Sequence, residues 1–65
     1  MKRSAEIKAL WAAFEAARLA RRQTIREAMA EAGLSDQPYY AARKGVAISA
    51  LSEAKMMGYV EDAKS

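Results

Sequence analysis

Large apolar side chains recur at helical spacing in the first part of the chain. Ile7, Leu10 and Phe14 fall on one stripe of a 3.6-residue period, and Trp11 lies beside them. Ser4 precedes the stripe and is suited to cap the backbone of a helix. The pattern predicts a first helix over residues 4–20, with this stripe facing the core.

A second face of this first helix carries only small residues, namely Ala5, Ala9, Ala12 and Ala16, and Leu19 lies away from the apolar stripe. Small side chains allow another helix to approach closely, so one interpretation is a homodimer formed through the first helix or through the last one. Alanine is also the best helix former. The same face is therefore equally typical of a solvent-exposed helix without a partner.

A second helix is predicted by its caps. Thr24 followed three residues later by Glu27 is a capping box, in which each side chain accepts a hydrogen bond from the other residue's backbone N–H. Gly33 then supplies the left-handed conformation that ends helices. The apolar face between these caps consists of Ile25, Ala28, Met29 and Ala32.

A third helix follows after a tight turn in which Leu34 fills the corner. Ser35 or Asp36 can cap this helix, and Pro38 is tolerated because it falls in the first turn, where a missing N–H loses no partner. The helix runs to Lys44 and ends at Gly45. Residues 24–44 are therefore predicted to form two short helices joined by a turn.

A fourth, closing helix is predicted over residues 47–57, with Gly58 as its end and residues 58–65 as a polar tail. No segment alternates as a strand does, so the fold class is all-α, a single-domain bundle of about four helices. The predicted core is Ile7, Leu10, Trp11, Phe14, Ile25, Met29, Leu34, Tyr39, Ile48 and Leu51.

The pair of short helices resembles the helix-turn-helix of DNA-binding proteins, in particular the type found in insertion-sequence transposases and small phage regulators. The residues that match are Gly33, Leu34, Ser35, Tyr39, Tyr40, Arg43 and Lys44. The sequence departs from the pattern at Ala41 and Ala42, where such modules usually carry a basic residue and a tryptophan. The resemblance implies double-stranded DNA as the partner, in transcription regulation or in DNA targeting by a mobile element or phage.

Four arginines cluster around the junction of the first and second helices. Arginine can bind phosphate oxygens through two parallel hydrogen bonds, and the N–H groups at a helix N-terminus favour the same anions. The alternative is a solvated surface that Glu15, Glu27 and Glu31 partly neutralise. The predicted phosphate contacts are Arg18, Arg21, Arg22 and Arg26, together with Lys44.

In the third helix we expect Tyr39 to join the core and Gln37, Tyr40 and Arg43 to read base edges in the major groove. A competing assignment makes the fourth segment the reading helix, because Gly58-Tyr59-Val60 is similar to the end of the recognition helix in winged-helix proteins. Its contacts would be Ser49, Ser52, Glu53 and Lys55.

Composition limits the remaining functions. The 65 residues include eleven basic and eight acidic side chains, for a net charge of +3 and a pI near 9.5, which permits nucleic acid as a partner without requiring it. There is no Cys and no His, so we expect no enzyme, no metal and no other cofactor. We also expect a cytoplasmic protein without a membrane span or small-molecule ligand. The alternative function is a helical protein–protein interaction module with no nucleic-acid ligand.

Overall fold

The computed structural model describes residues 2–64, with side chains from residue 3 onward. Within this range the chain forms four helices and no strand: α1 (Lys2–Ala20), α2 (Ile25–Ala32), α3 (Gln37–Lys44) and α4 (Ala50–Lys64). The all-α prediction is therefore confirmed. None of these helices is both long and apolar enough to cross a bilayer.

The predicted caps of α2 are present. The backbone N–H of Glu27 donates to Thr24 Oγ1 over 3.1 Å, and the backbone N–H of Thr24 donates to Glu27 Oε1 over 2.8 Å. Gly33 has φ +81°, and the next N–H, that of Leu34, donates to the Met29 carbonyl over 2.8 Å. These contacts satisfy backbone groups that the ends of a helix leave unpaired, and so they fix where α2 begins and ends.

The start of α3 differs from the prediction in one respect. Asp36 stands at the cap position, but its side chain makes no capping hydrogen bond. Its carboxylate instead lies 3.9 Å from Arg26 Nε. Pro38 is in the first turn, and Gly45 ends the helix with φ +78°, so both ends of α3 lie where the sequence places them.

The prediction for α4 is wrong at both ends. The helix begins at Ala50, not residue 47, because Ser49 Oγ accepts the backbone N–H of Ser52 over 3.1 Å. It then continues through Gly58 as far as Lys64, so the predicted polar tail is helical over residues 58–64, and Ser65 lies outside the described residues. Burial of Tyr59 and Val60, at 3% and 4% exposed, stabilises this extension enough to offset the roughly 1 kcal/mol that glycine costs within a helix.

The two long helices form the centre of the bundle. α1 packs against α3 and α4, and α2 packs against α4. α2 and α3 are not among the most closely packed pairs, although they are neighbours in sequence. Each short helix is therefore held in place mainly by a different long helix.

The core differs from the predicted one mainly in α4. Leu51 is 65% exposed and does not belong to it, whereas Met56, Tyr59 and Val60 of the same helix are buried. Trp11, Ile25, Leu34 and Ile48 are partly buried against the core. The buried core consists of Ile7, Leu10, Phe14, Ala17, Ala28, Met29, Tyr39, Ala42, Met56, Tyr59 and Val60.

Candidate nucleic-acid interface

Arg18 is engaged inside the protein. Its Nε and Nη2 donate to the two carboxylate oxygens of Glu15 over 2.8 and 2.6 Å, and Nη1 donates to the Gln23 carbonyl over 2.8 Å. Only 13% of the Arg18 side chain is exposed. The guanidinium thus joins α1 to the loop that follows it, and we remove Arg18 from the predicted phosphate contacts.

Arg21 is also held by neighbours. It forms an ion pair with Glu31 of α2, and its guanidinium carbon lies 4.6 Å from the centre of the Tyr59 ring. The Gln23 side chain links the same elements. Its Nε2 donates a hydrogen bond to Glu31, and its Oε1 accepts one from the Tyr59 hydroxyl. Arg21 therefore stabilises the junction of α1, α2 and α4, which makes it a poor phosphate contact.

The other two arginines of the predicted cluster are open to solvent. Arg22 is exposed, has φ +56° and has no ion-pair or hydrogen-bond partner for its side chain among the described residues. The Arg26 side chain is 87% exposed and makes only the long contact with Asp36. These two remain available to a phosphate.

Glu15 of α1 is a charged side chain located at the contact between α1 and α3. The hydrogen bond from Arg18 lowers the pKa of the Glu15 carboxyl below its ordinary value, against the opposing effect of burial. The Tyr39 hydroxyl also donates to Glu15, over 2.8 Å. Burial and this bond raise the pKa of Tyr39. At neutral pH the three groups thus form one charged, hydrogen-bonded contact between the two helices.

Glu15→Gln is expected to lower the free energy of unfolding at pH 7 by about 1 kcal/mol, because it removes the charge that Arg18 and Tyr39 recognise. A depressed carboxyl pKa stabilises the fold above the ordinary value of 4.5, and this contribution is lost as pH falls. The difference in free energy of unfolding between wild type and variant, measured by urea unfolding, should therefore become smaller as the pH is lowered from 7 to 3. The exposed Asp62→Asn is the control. A gap that stays constant with pH would contradict the assignment.

The outward face of α3 is not covered by any other described part of the chain. Gln37, Arg43 and Lys44 are exposed, and their side chains have no hydrogen bond or ion pair within the described residues. Tyr40 is 44% exposed, with its ring standing edge-on to Tyr39 at 5.1 Å between ring centres. No acidic residue lies within the helix. All four predicted α3 contacts are therefore accessible on one short helix.

The two alanines that depart from the helix-turn-helix pattern have a structural explanation. Ala42 is completely buried, and Ala41 is half-buried. The tryptophan that packs against α3 comes from α1: the Trp11 ring stands edge-on to that of Tyr39, with 6.0 Å between ring centres. A tryptophan at position 42 would have no space, because the core there is already filled.

The side chains of the competing reading helix are in use. Ser49 and Ser52 bond to each other, Glu53 pairs with Arg3, and Lys55 Nζ donates to the Gly33 carbonyl over 3.1 Å. A DNA strand would have to displace these contacts. This observation favours α3 over α4 as the reading helix.

Lys8 was not among the predicted contacts, although its side chain lies against the C-terminal end of α3. Residues 8 and 45 are far apart in sequence, so no local pattern could indicate that they meet. No protein-family model, no curated protein and no solved structure matches the chain.

Proposed function

We propose that the protein binds double-stranded DNA and that α3 is the helix that enters the major groove. The observation that carries the proposal is the outward face of α3, where Gln37, Tyr40, Arg43 and Lys44 are accessible and no acidic side chain interrupts them. A surface helix that lacks both acids and internal partners for its cations is suited to a polyanion.

The chemistry of these side chains matches the edges of base pairs. An α-helix fits the major groove, where Gln37 can form two hydrogen bonds with adenine and Arg43 two with guanine. Lys44 and the exposed Arg26 are suited to phosphates. Arg26 is placed near the start of α3 by its contact with Asp36, so cations lie toward both ends of the reading helix.

The proposed role is that of a transcription regulator or of a DNA-targeting module. Eight residues of α3 span only about 12 Å, which limits the number of bases that one copy can read. Helix-turn-helix proteins commonly overcome this limit by binding two half-sites as a dimer. A homodimer in the cytoplasm is accordingly part of the proposal.

A second candidate function is self-association without any DNA ligand. It is favoured by the outward face of α1, where Ala5, Ala9, Ala12 and Ala16 are all exposed and Leu19 is 59% exposed. A helix that is apolar on both faces is typical of one buried on both sides. A groove of about 290 Å³ continues this face toward α4 and is lined by Ala13, Ala16, Ala17, Ala20, Val60, Ala63 and Lys64.

Fluorescence anisotropy with a labelled mixed-sequence duplex tests the DNA proposal. Affinity is expected to fall steeply between low and moderate salt, because bound cations release counterions from the phosphates. The double variant Arg43→Gln/Lys44→Gln should bind more weakly than Lys55→Gln/Lys64→Gln, which loses the same charge elsewhere. Gln37→Ala should instead change the preference among sequences.

Two results would contradict the proposal. One is the absence of binding at low salt. The other is equal weakening by both double variants, which would indicate net charge instead of a defined surface. If binding is absent and sedimentation at the same concentrations shows dimers, self-association becomes the better supported function.

A further inference from the structure

We infer that Lys8 of α1 is a phosphate contact, so that the DNA-binding surface extends from α3 across the adjoining part of α1. The inference rests on the proposed function and adds a side chain that the sequence analysis did not assign. It also moves the main phosphate contacts away from the Arg18–Arg21 region, where the guanidinium groups are engaged within the protein.

The position of Lys8 follows from the tight packing at Gly45. A Cβ atom added to Gly45 would lie 2.9 Å from Lys8 Cε and 3.3 Å from Lys8 Cγ, so the aliphatic part of Lys8 lies directly against the end of α3. The ammonium group is one bond beyond Cε and therefore lies near the same helix end. Ser4 Oγ borders Gly45 as well, which adds a hydroxyl donor beside the ammonium.

The distribution of ion pairs singles out this region. Most cations whose side chains are described have a partner: Arg3, Arg18, Arg21, Arg26 and Lys64 are in ion pairs, and Lys55 bonds to a carbonyl. Within that part of the chain, those without a bonded partner are Lys8, Arg22, Arg43 and Lys44. Two of these are consecutive residues at the end of α3, and Lys8 packs against the next residue. We call Lys8, Arg43 and Lys44 the seam cations.

Among the described residues, no acid forms an ion pair or hydrogen bond with a seam cation. Glu15 is the acid on α1 whose pKa Arg43 affects, yet its two oxygens already accept bonds from Arg18 and Tyr39. Lys44 and Lys8 both lie at the C-terminal end of α3, so their positive charges favour an anion there. A helix inserted in the major groove approaches the phosphates on either side of it. Lys8 and Lys44 are suited to bind such a phosphate while Arg43 faces a base.

The inference is tested with Lys8→Gln, and Lys64→Gln is the matched control, since each variant loses one charge from an exposed helix position. Glutamine and lysine have similar helix propensities, and circular dichroism checks that both variants fold. Affinity for duplexes of several sequences is measured across a range of salt concentrations. Lys8→Gln should bind all sequences more weakly. The negative slope of log affinity against log salt should become shallower by about one, because one phosphate contact is lost.

The outcomes separate the inference from the function on which it rests. If Lys8→Gln matches wild type while Lys44→Gln binds more weakly, the inference is wrong and the proposed function stands. If Lys8→Gln changes sequence preference without changing the salt slope, Lys8 is not a phosphate contact. If wild type binds no duplex at low salt, both are wrong.

Discussion

Phe14→Ala is expected to unfold most of the protein at 25 °C. Phe14 is completely buried, with its ring centre 4.6 Å from that of Tyr59 and 6.3 Å from that of Tyr39. Truncation of a buried phenylalanine to alanine costs about 3–5 kcal/mol. Domains below about 70–80 residues rarely have more than 3–5 kcal/mol of stability. The loss is therefore comparable to the total free energy of unfolding.

Circular dichroism at 222 nm during urea titration measures this effect. Leu19→Ala is the control, because Leu19 is in the same helix and is 59% exposed. Its free energy of unfolding should stay within about 0.5 kcal/mol of the wild-type value. A Phe14→Ala protein that unfolds at the wild-type urea concentration would show that the core is not centred on this ring.

Tyr59→Ala is expected to have the second largest effect, of about 3 kcal/mol. The ring is 3% exposed, the Arg21 guanidinium lies over it, and the hydroxyl donates to Gln23. Removing Tyr59 therefore creates a cavity and also breaks the contacts that join α4 to the loop between α1 and α2. The expected result is a large shift in the urea midpoint.

Leu51→Ala is the matched comparison, since it truncates a large apolar residue of the same helix that is 65% exposed. It should change stability by less than about 0.5 kcal/mol. The two variants together test which side of α4 faces the core. A costly Leu51→Ala with a harmless Tyr59→Ala would mean that the position of α4 described here is wrong.

The short helices could be predicted because their limits are encoded locally. The capping box of Thr24 and Glu27 and the two glycines with positive φ involve residues that are close in sequence, and each signal has one main structural meaning. The boundaries of α2 and α3 follow from them directly.

The fourth helix could not be placed as well, because its signals conflict. Apolar side chains occur all round α4, and Gly58 resembles a helix end although it lies within the helix. Met56, Tyr59, Val60 and Ala63 do have the spacing of a buried helical face. That spacing, together with Ser49 as a cap, was the signal that could have located the helix.

The candidate site could be predicted where it depends on positions within one helix, and not where it depends on how two helices are arranged. The exposure of Gln37, Tyr40, Arg43 and Lys44 follows once Tyr39 is assigned to the core. The pairing of Arg21 with Glu31 depends on how α1 and α2 are arranged in space. By contrast, the spacing of Glu15 and Arg18 on one helix already indicates a pair.

The packing of α1 against α4 affects how the chain can fold during synthesis. α1 buries apolar surface against α4, which is synthesised only after α2 and α3. Until α4 emerges, Phe14 lacks Tyr59 as its neighbour, and the nascent chain cannot complete a core. Folding of this bundle therefore waits until α4 has been synthesised, and the exposed nascent helices are open to chaperone binding until then.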